Sequence, residues 1–209
     1  MNNVSISKQV IQLLRKKPFL EEAIVMNIAN LSKVTKLLQK EINESSFHAV
    51  HAALRRHSEL LVKEKSRIQK KILKILSDSK LSIKSGLMSV KLIALKDNNE
   101  KLIELMSKGA DINLIKGAEI NTIIIGKEHE KILEKLKGIE EINKNLGAVI
   151  IKSPKEILYT KGFVAFIANM ISREDINIID FIWSGNNTII LVDEKDAGKI
   201  YSLLVEYLK

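Results

Sequence analysis

The chain has 209 residues, 45% of them hydrophobic, with 34 Lys and Arg against 25 Asp and Glu, a formal charge of +9, and no cysteine. That length supports one large domain or two to three small ones with real cores, and the missing cysteine removes disulfides, thiolate nucleophiles and Cys-ligated zinc. The first residues lack the apolar core of a signal peptide and no apolar run approaches the roughly 18 residues of a membrane helix, so a soluble cytoplasmic protein is expected.

The charge is segregated. From Met1 to Lys80 there are 16 Lys and Arg against 7 Asp and Glu, a balance of +9, whereas Leu81 to Lys209 carries 18 of each. One region is built to face polyanions and the rest does something else.

Up to about residue 77 the apolar positions recur at helical spacing: Val10, Leu13 and Leu14, then Leu20, Ile24 and Ile28, then Leu31, Val34, Leu38 and Ile42. After the turn-like NESS, Ser45 or Ser46 caps the next helix. At 100° per residue Phe47, Val50, Leu54 and Leu61 form its inner stripe. The opposite face carries His48, Ala49, Ala52, Arg55, Arg56, Glu59 and Lys63, small at its start and cationic further on. Residues 59–79 contain no helix breaker and place Leu61, Ile68 and Ile75 seven apart, which fits a connecting helix able to pack against a twin in a dimer.

A short helix, a turn and a second helix whose outward face starts small suits a major groove about 12 Å wide. The stretch NIANLSKVTKLLQKEINESSFHAVHAALRR resembles the helix-turn-helix of archaeal regulators that carry ACT domains behind it. On that reading Ser46, His48, Ala49, Ala52, Arg55, Arg56 and Lys63 are the candidate contacts to double-stranded DNA. Arg55 and Arg56 are a tandem pair in a chain with 29 Lys and five Arg, and the guanidinium fork suits phosphate or guanine edges, although both could simply solvate a helix. His48 and His51 stand three apart, but His57 lies too far around the helix to join them and no carboxylate falls beside the pair. No metal site is expected, and a histidine without a paired acid or nucleophile gives no catalytic centre.

From residue 80 the period changes. KLSIKSGLMSVKLIAL reads as one or two strands, NNEKLIELMSKG as a helix, DINLIKGAEINTIIIG as a strand pair and KEHEKILEKLKG as a helix ending at Gly138. The series then repeats: GAVIIKSP as a strand, KGFVAFIANMISRE as a helix, DINIIDFIWSGNNTIILVD as a hairpin turning at GNN, and EKDAGKIYSLLVEYLK as a final helix. The expected organisation is therefore a helix-turn-helix domain at 1–66, a connecting helix at 67–79, and two α+β repeats at 80–146 and 147–209. Each repeat is expected to cover one face of its own sheet with two helices.

The second repeat resembles the ACT domain, a ferredoxin-like fold, and more narrowly the tandem kind that ends aspartokinases. The likeness rests on TKGFVAFI at 160–167, DINIIDF at 175–181 and TIILVDEKDAGKI at 188–200, with Lys161 standing where proline is common. The first repeat keeps the order with ADINLIKG but has no glycine opening its first helix at KDNNEKL, which implies a structural role.

A glycine at a first helical turn admits a close partner, and free N–H groups at a helix N-terminus favour a carboxylate. The resemblance implies an amino-acid effector at Thr160, Lys161, Gly162, Phe163, Val164, Asn177 and Ile178, with a domain that only dimerises as the other reading. Nothing in the sequence resembles an enzyme, and no cofactor is expected. The whole reads as a homodimeric, DNA-binding transcriptional regulator that senses a small molecule. The alternative is a regulatory subunit that docks through its ACT domains on a metabolic enzyme or contacts RNA.

Overall fold

The computed structural model describes residues 5–42, 46–107 and 109–208; Ser45, the alternative cap, lies outside them. The chain divides into two compact units, Met1–Lys71 and Ile72–Lys209. Among the described residues the elements of the first are all helices, and the second mixes helices with an antiparallel sheet.

In the first unit α1 (Ile6–Arg15), α2 (Pro18–Val25) and α3 (Leu31–Gln39) precede α4 (Phe47–Ser77), which belongs to that unit as far as Lys71. Pro18 sits in the first turn of α2, where its missing N–H costs nothing. Asn30 caps α3 by accepting from the Lys33 amide at 3.1 Å. Ser46 caps α4, its hydroxyl accepting from the Ala49 amide at 3.2 Å. Val10, Leu14, Ile24, Val34, Leu38, Ile42, Val50, Ala53 and Leu54 form the core, most of them on the helical spacings the sequence displays.

Ile28 departs from that expectation at 71% exposed. α2 ends at Val25 and Asn27 turns the chain at φ 57°, so the helical phase that would carry Ile28 inward stops before reaching it. The connecting helix expected at 67–79 is not a separate element either. α4 runs unbroken for 31 residues, because nothing between Arg56 and Ser77 interrupts it.

The second unit contains β1 (Lys80–Ile93), α5 (Lys96–Ser107), β2 (Asn113–Lys116), β3 (Ile120–Gly126), a 3-10 helix at Lys127–Lys135, and β4 (Ile139–Lys152). A second 3-10 helix at Lys155–Tyr159 leads to α6 (Phe163–Ser172), β5 (Asp180–Ser184), β6 (Asn187–Asp193) and α7 (Glu194–Val205). The hairpin turns at Gly185 and Asn186, as the GNN predicts. The KEHEKILEKLKG segment is a 3-10 helix that stops at Lys135 rather than an α-helix reaching Gly138.

The six strands of the described residues form one sheet in the order β2-β3-β1-β4-β6-β5. Exchanging β1 with β4, β2 with β5 and β3 with β6 maps that order onto itself. The two expected sheets are therefore joined, and the boundary expected at 146/147 falls inside β4. The reason lies in two long strands that each serve both halves. Leu87 to Ile93 of β1 pair with β3 and with the first half of β4, whereas Lys80 to Lys84 pair only with the second half of β4. Both strands are irregular at matching places, Gly86 at φ 67° in β1 and Asn145 at φ 57° in β4, and the register shifts between Lys84 and Leu87.

Alternation divides the strands between two faces. Met88, Val90, Leu92, Ile123 and Ile125 are buried with Leu102 of α5, and Ile132 and Leu133 of the first 3-10 helix pack against them. α7 lies on this same face, where Gly147 leaves room for it: a Cβ there would stand 2.8 Å from Ala197 Cβ. On the helix-free face Leu87, Ile124, Leu146, Ala148 and Leu191 form a second cluster. Among the described residues no helix is long and apolar enough to cross a membrane.

Candidate nucleic-acid interface and effector site

The start of α4 is braced from α3. The Thr35 hydroxyl is fully buried and donates to the Leu31 carbonyl at 2.7 Å. Its one proton is thus spent, and its oxygen accepts from His51 Nδ1 at 2.9 Å. Phe47 stacks on the His51 ring with centroids 5.5 Å apart and meets His48 edge-on at 5.9 Å. His51 is a structural tie, and among the described residues no group of three His, Cys, Asp or Glu could hold a metal.

Every residue predicted for the DNA face lies on the outer side of α4. Ser46, His48, Ala52, Arg55, Arg56 and Lys63 are exposed and Ala49 is half-buried, while Val50, Ala53 and Leu54 are buried behind them. Arg55 lies 3.4 Å from Glu59 one turn on, an exposed pair that water and salt screen heavily. His57 faces inward instead. Burial holds its pKa below the usual histidine value, with Glu21 opposing the shift, Arg15 adding to it and Glu64 opposing it again.

The predicted effector residues separate into two places. Gly162 takes the left-handed conformation at φ 81° and precedes α6, its carbonyl accepting from the Phe166 amide at 2.9 Å. Thr160 is buried and its hydroxyl donates to the Glu156 carbonyl at 2.8 Å, so it holds the loop. Phe163 is in the core, edge-on to Trp183 at 5.9 Å. Lys161 and Val164 are exposed beside it.

Asn177 and Ile178 line a groove of about 280 Å³ on the helix-free face with Ser89, Lys91, Glu141, Asn143, Ile179 and Asp180; the Thr160–Val164 loop is not part of its wall. Lys91 donates to Glu141 at 2.7 Å and Asn143 donates to the other Glu141 oxygen at 2.8 Å. The bond from Lys91 first, then that from Asn143, holds the Glu141 carboxyl below its ordinary pKa. The Glu141 bond and charge, with Asp180 nearby, push Lys91 up. Sequence reasoning missed this half of the groove because nothing local to Glu141 shows that β1 pairs with it and sets Lys91 opposite.

In the first repeat the first turn of α5 is tied down by a buried side chain. Asn98 is fully buried, donates to the Lys137 carbonyl at 2.8 Å and accepts from the Lys137 amide at 3.0 Å. That side chain ties α5 to the entry of β4.

No protein-family model and no curated protein sequence matches the chain. Solved structures do. Aspartate kinase of Clostridium acetobutylicum is similar at 19% identity and a TM-score of 0.52, over 62% of this chain and 34% of that one, so the likeness spans about a third of the enzyme. The regulatory subunit of aspartate kinase from Thermus flavus is similar at 14% identity and a TM-score of 0.51, over 62% of this chain and 97% of that one. The likeness is one of fold: the sheet-bearing unit has the ACT-type fold of aspartate kinase regulatory domains.

Proposed function

We propose that this protein is a homodimeric DNA-binding regulator whose C-terminal unit binds an amino acid and biases the pair of DNA-binding units. The observation that carries the DNA reading is the outer face of α4, small at Ser46, Ala49 and Ala52 and cationic at Arg55, Arg56 and Lys63, within the region that holds the whole excess charge. Small residues admit the helix to the groove and the cations meet phosphate or guanine edges. A dimer supplies the two-fold symmetry of a palindromic site, and the edge strands β2 and β5 are the open edges through which ACT-type sheets can pair.

The effector reading rests on the fold and on Gly162 opening α6 beside the exposed Lys161 and Val164, with Asn177 and Ile178 on the strand-side groove. Selection of bound fragments from random duplex DNA, repeated with each of the twenty amino acids, tests both parts. A preferred palindrome whose affinity changes with one amino acid supports the proposal. Absence of duplex binding, together with capture of single-stranded RNA or of a metabolic enzyme, supports the alternative of a regulatory subunit. The full chain should sediment as a dimer at tens of micromolar, and a strict monomer would remove the shared geometry.

A further inference from the structure

The sheet's internal two-fold relates two grooves on the helix-free face that the chain has made chemically unlike. Leu87 pairs with Leu146, and equal steps along β1 and β4 from that pair match Ser89 with Ala148, Lys91 with Ile150 and Lys84 with Asn143. One groove is the polar one around Lys91 and Glu141. The other, of about 170 Å³, has Leu87, Ile124 and Ala148 as its buried floor and Ile150 and Ile189 as half-buried walls. Its polar side is Lys84, ion-paired to Asp111, together with Asn113. The fold does not require Ala148 and Ile150 to be apolar, since Ser89 and Lys91 occupy the equivalent places in the same sheet.

We propose that this apolar cleft binds a short branched aliphatic chain ending in a carboxylate, at a site separate from the Thr160–Val164 loop. An apolar cavity of about 150 Å³ accommodates a benzene-sized molecule, so a cleft of about 170 Å³ takes a branched chain of roughly four to six carbons. Lys84 supplies the anion's partner. Its side chain is 37% exposed whereas that of Asp111 is 73% exposed. Asp111 can therefore release Lys84 to water at little cost, and a ligand carboxylate takes its place while the aliphatic end displaces water from the half-buried Ile150 and Ile189. Both aliphatic acids and branched amino acids carry this chemistry.

Thermal melting of the full chain separates the cases, with 4-methylpentanoate, its 2-oxo form, leucine, the neutral amide 4-methylpentanamide, and acetate at matched ionic strength. A saturable rise in melting temperature with the branched carboxylates, and none with the amide or acetate, is expected. A response to leucine that Ile150→Lys abolishes and Lys161→Ala retains identifies the amino acid as a ligand of the cleft, and a response to the acids alone identifies the des-amino form. Lys84→Gln should weaken binding roughly tenfold, the scale of one charge-assisted hydrogen bond. Ile150→Lys, which copies Lys91, should abolish it with the circular dichroism spectrum intact. Lys161→Ala, in the loop, should leave it unchanged. No shift with any branched carboxylate overturns the proposal, as does wild-type response in both Lys84→Gln and Ile150→Lys. A response lost in Lys161→Ala but kept in Lys84→Gln assigns the ligand to the loop; that outcome sustains the effector reading and overturns this one.

Discussion

His51 of α4 donates through Nδ1 to the buried hydroxyl of Thr35 on α3 at 2.9 Å, and the same hydroxyl donates to the Leu31 carbonyl. This one oxygen couples the two helices on which the proposed DNA face depends. The imidazole therefore carries its proton on Nδ1 when neutral, an assignment that follows from the hydroxyl having only one proton to give.

Thr35→Val keeps the shape and removes both bonds, leaving the His51 N–H without its partner. The variant should lose about 1–3 kcal/mol of stability in the first unit, read by amide hydrogen exchange in α1, α3 and α4. Protection unchanged from wild type would show that the tie contributes nothing. Serine at the same position should retain most of the protection.

Arg55→Ala and Arg56→Ala test the reading face. If an arginine contacts phosphate, its loss should weaken all duplexes alike and lower the salt slope by about one; if it reads guanine, the cost should be roughly 1–3 kcal/mol on the preferred site alone. The exposed Arg55–Glu59 pair contributes little to folding, so the double variant should melt like wild type. Full affinity in that variant would place the interface elsewhere.

The first unit should weaken as pH falls through the histidine range. His57 has a folded pKa below its ordinary value because burial outweighs the Glu21 charge. The unfolded chain then binds the proton more readily, so the stability is fully present above about pH 6.5. It is lost progressively as pH falls from there to the lowered folded value. Hydrogen exchange of α4 amides between pH 5 and 8 should show that loss, and His57→Gln should flatten it. An equal slope in the glutamine variant would assign the effect to another group.

Gly162→Val places a β-branched residue at φ 81°, which costs about 1–3 kcal/mol of strain in the turn before α6. The melting shift caused by the amino-acid effector should disappear while ligand-free DNA affinity is retained. A variant that still responds would move the effector away from this loop. Gly162→Ala should show the same loss in weaker form.

The helical half was legible because its signals are local. Val10, Leu14, Val34, Leu38, Val50 and Leu54 repeat at the period of a helix that buries one side, and Ser46 caps α4 where a short polar side chain meets an apolar-periodic run. The outward placement of Arg55, Arg56 and Lys63 follows from the same phase. Ile28 escaped because a turn at Asn27, two residues beyond the end of α2, resets that phase.

In the C-terminal half the sequence by itself determined the order of most elements, the hairpin at Gly185 and the helix opened by Gly162. Only the tertiary structure decided how they share a sheet. The segment from Ile139 to Asn145 shows no strand alternation: Ile139 and Asn143 are half-buried and the other five residues are exposed. It becomes strand because β1 pairs with it, Val90 opposite Ile142 and Lys91 opposite Glu141. Side-chain period reports which residues are buried, whereas pairing is a contact between segments some fifty residues apart. The same non-local pairing sets Ser89 beside Asn143 and Ala148 beside Leu191, so the polar groove and the apolar cleft exist only once β1 and β4 have been shared between the two repeats.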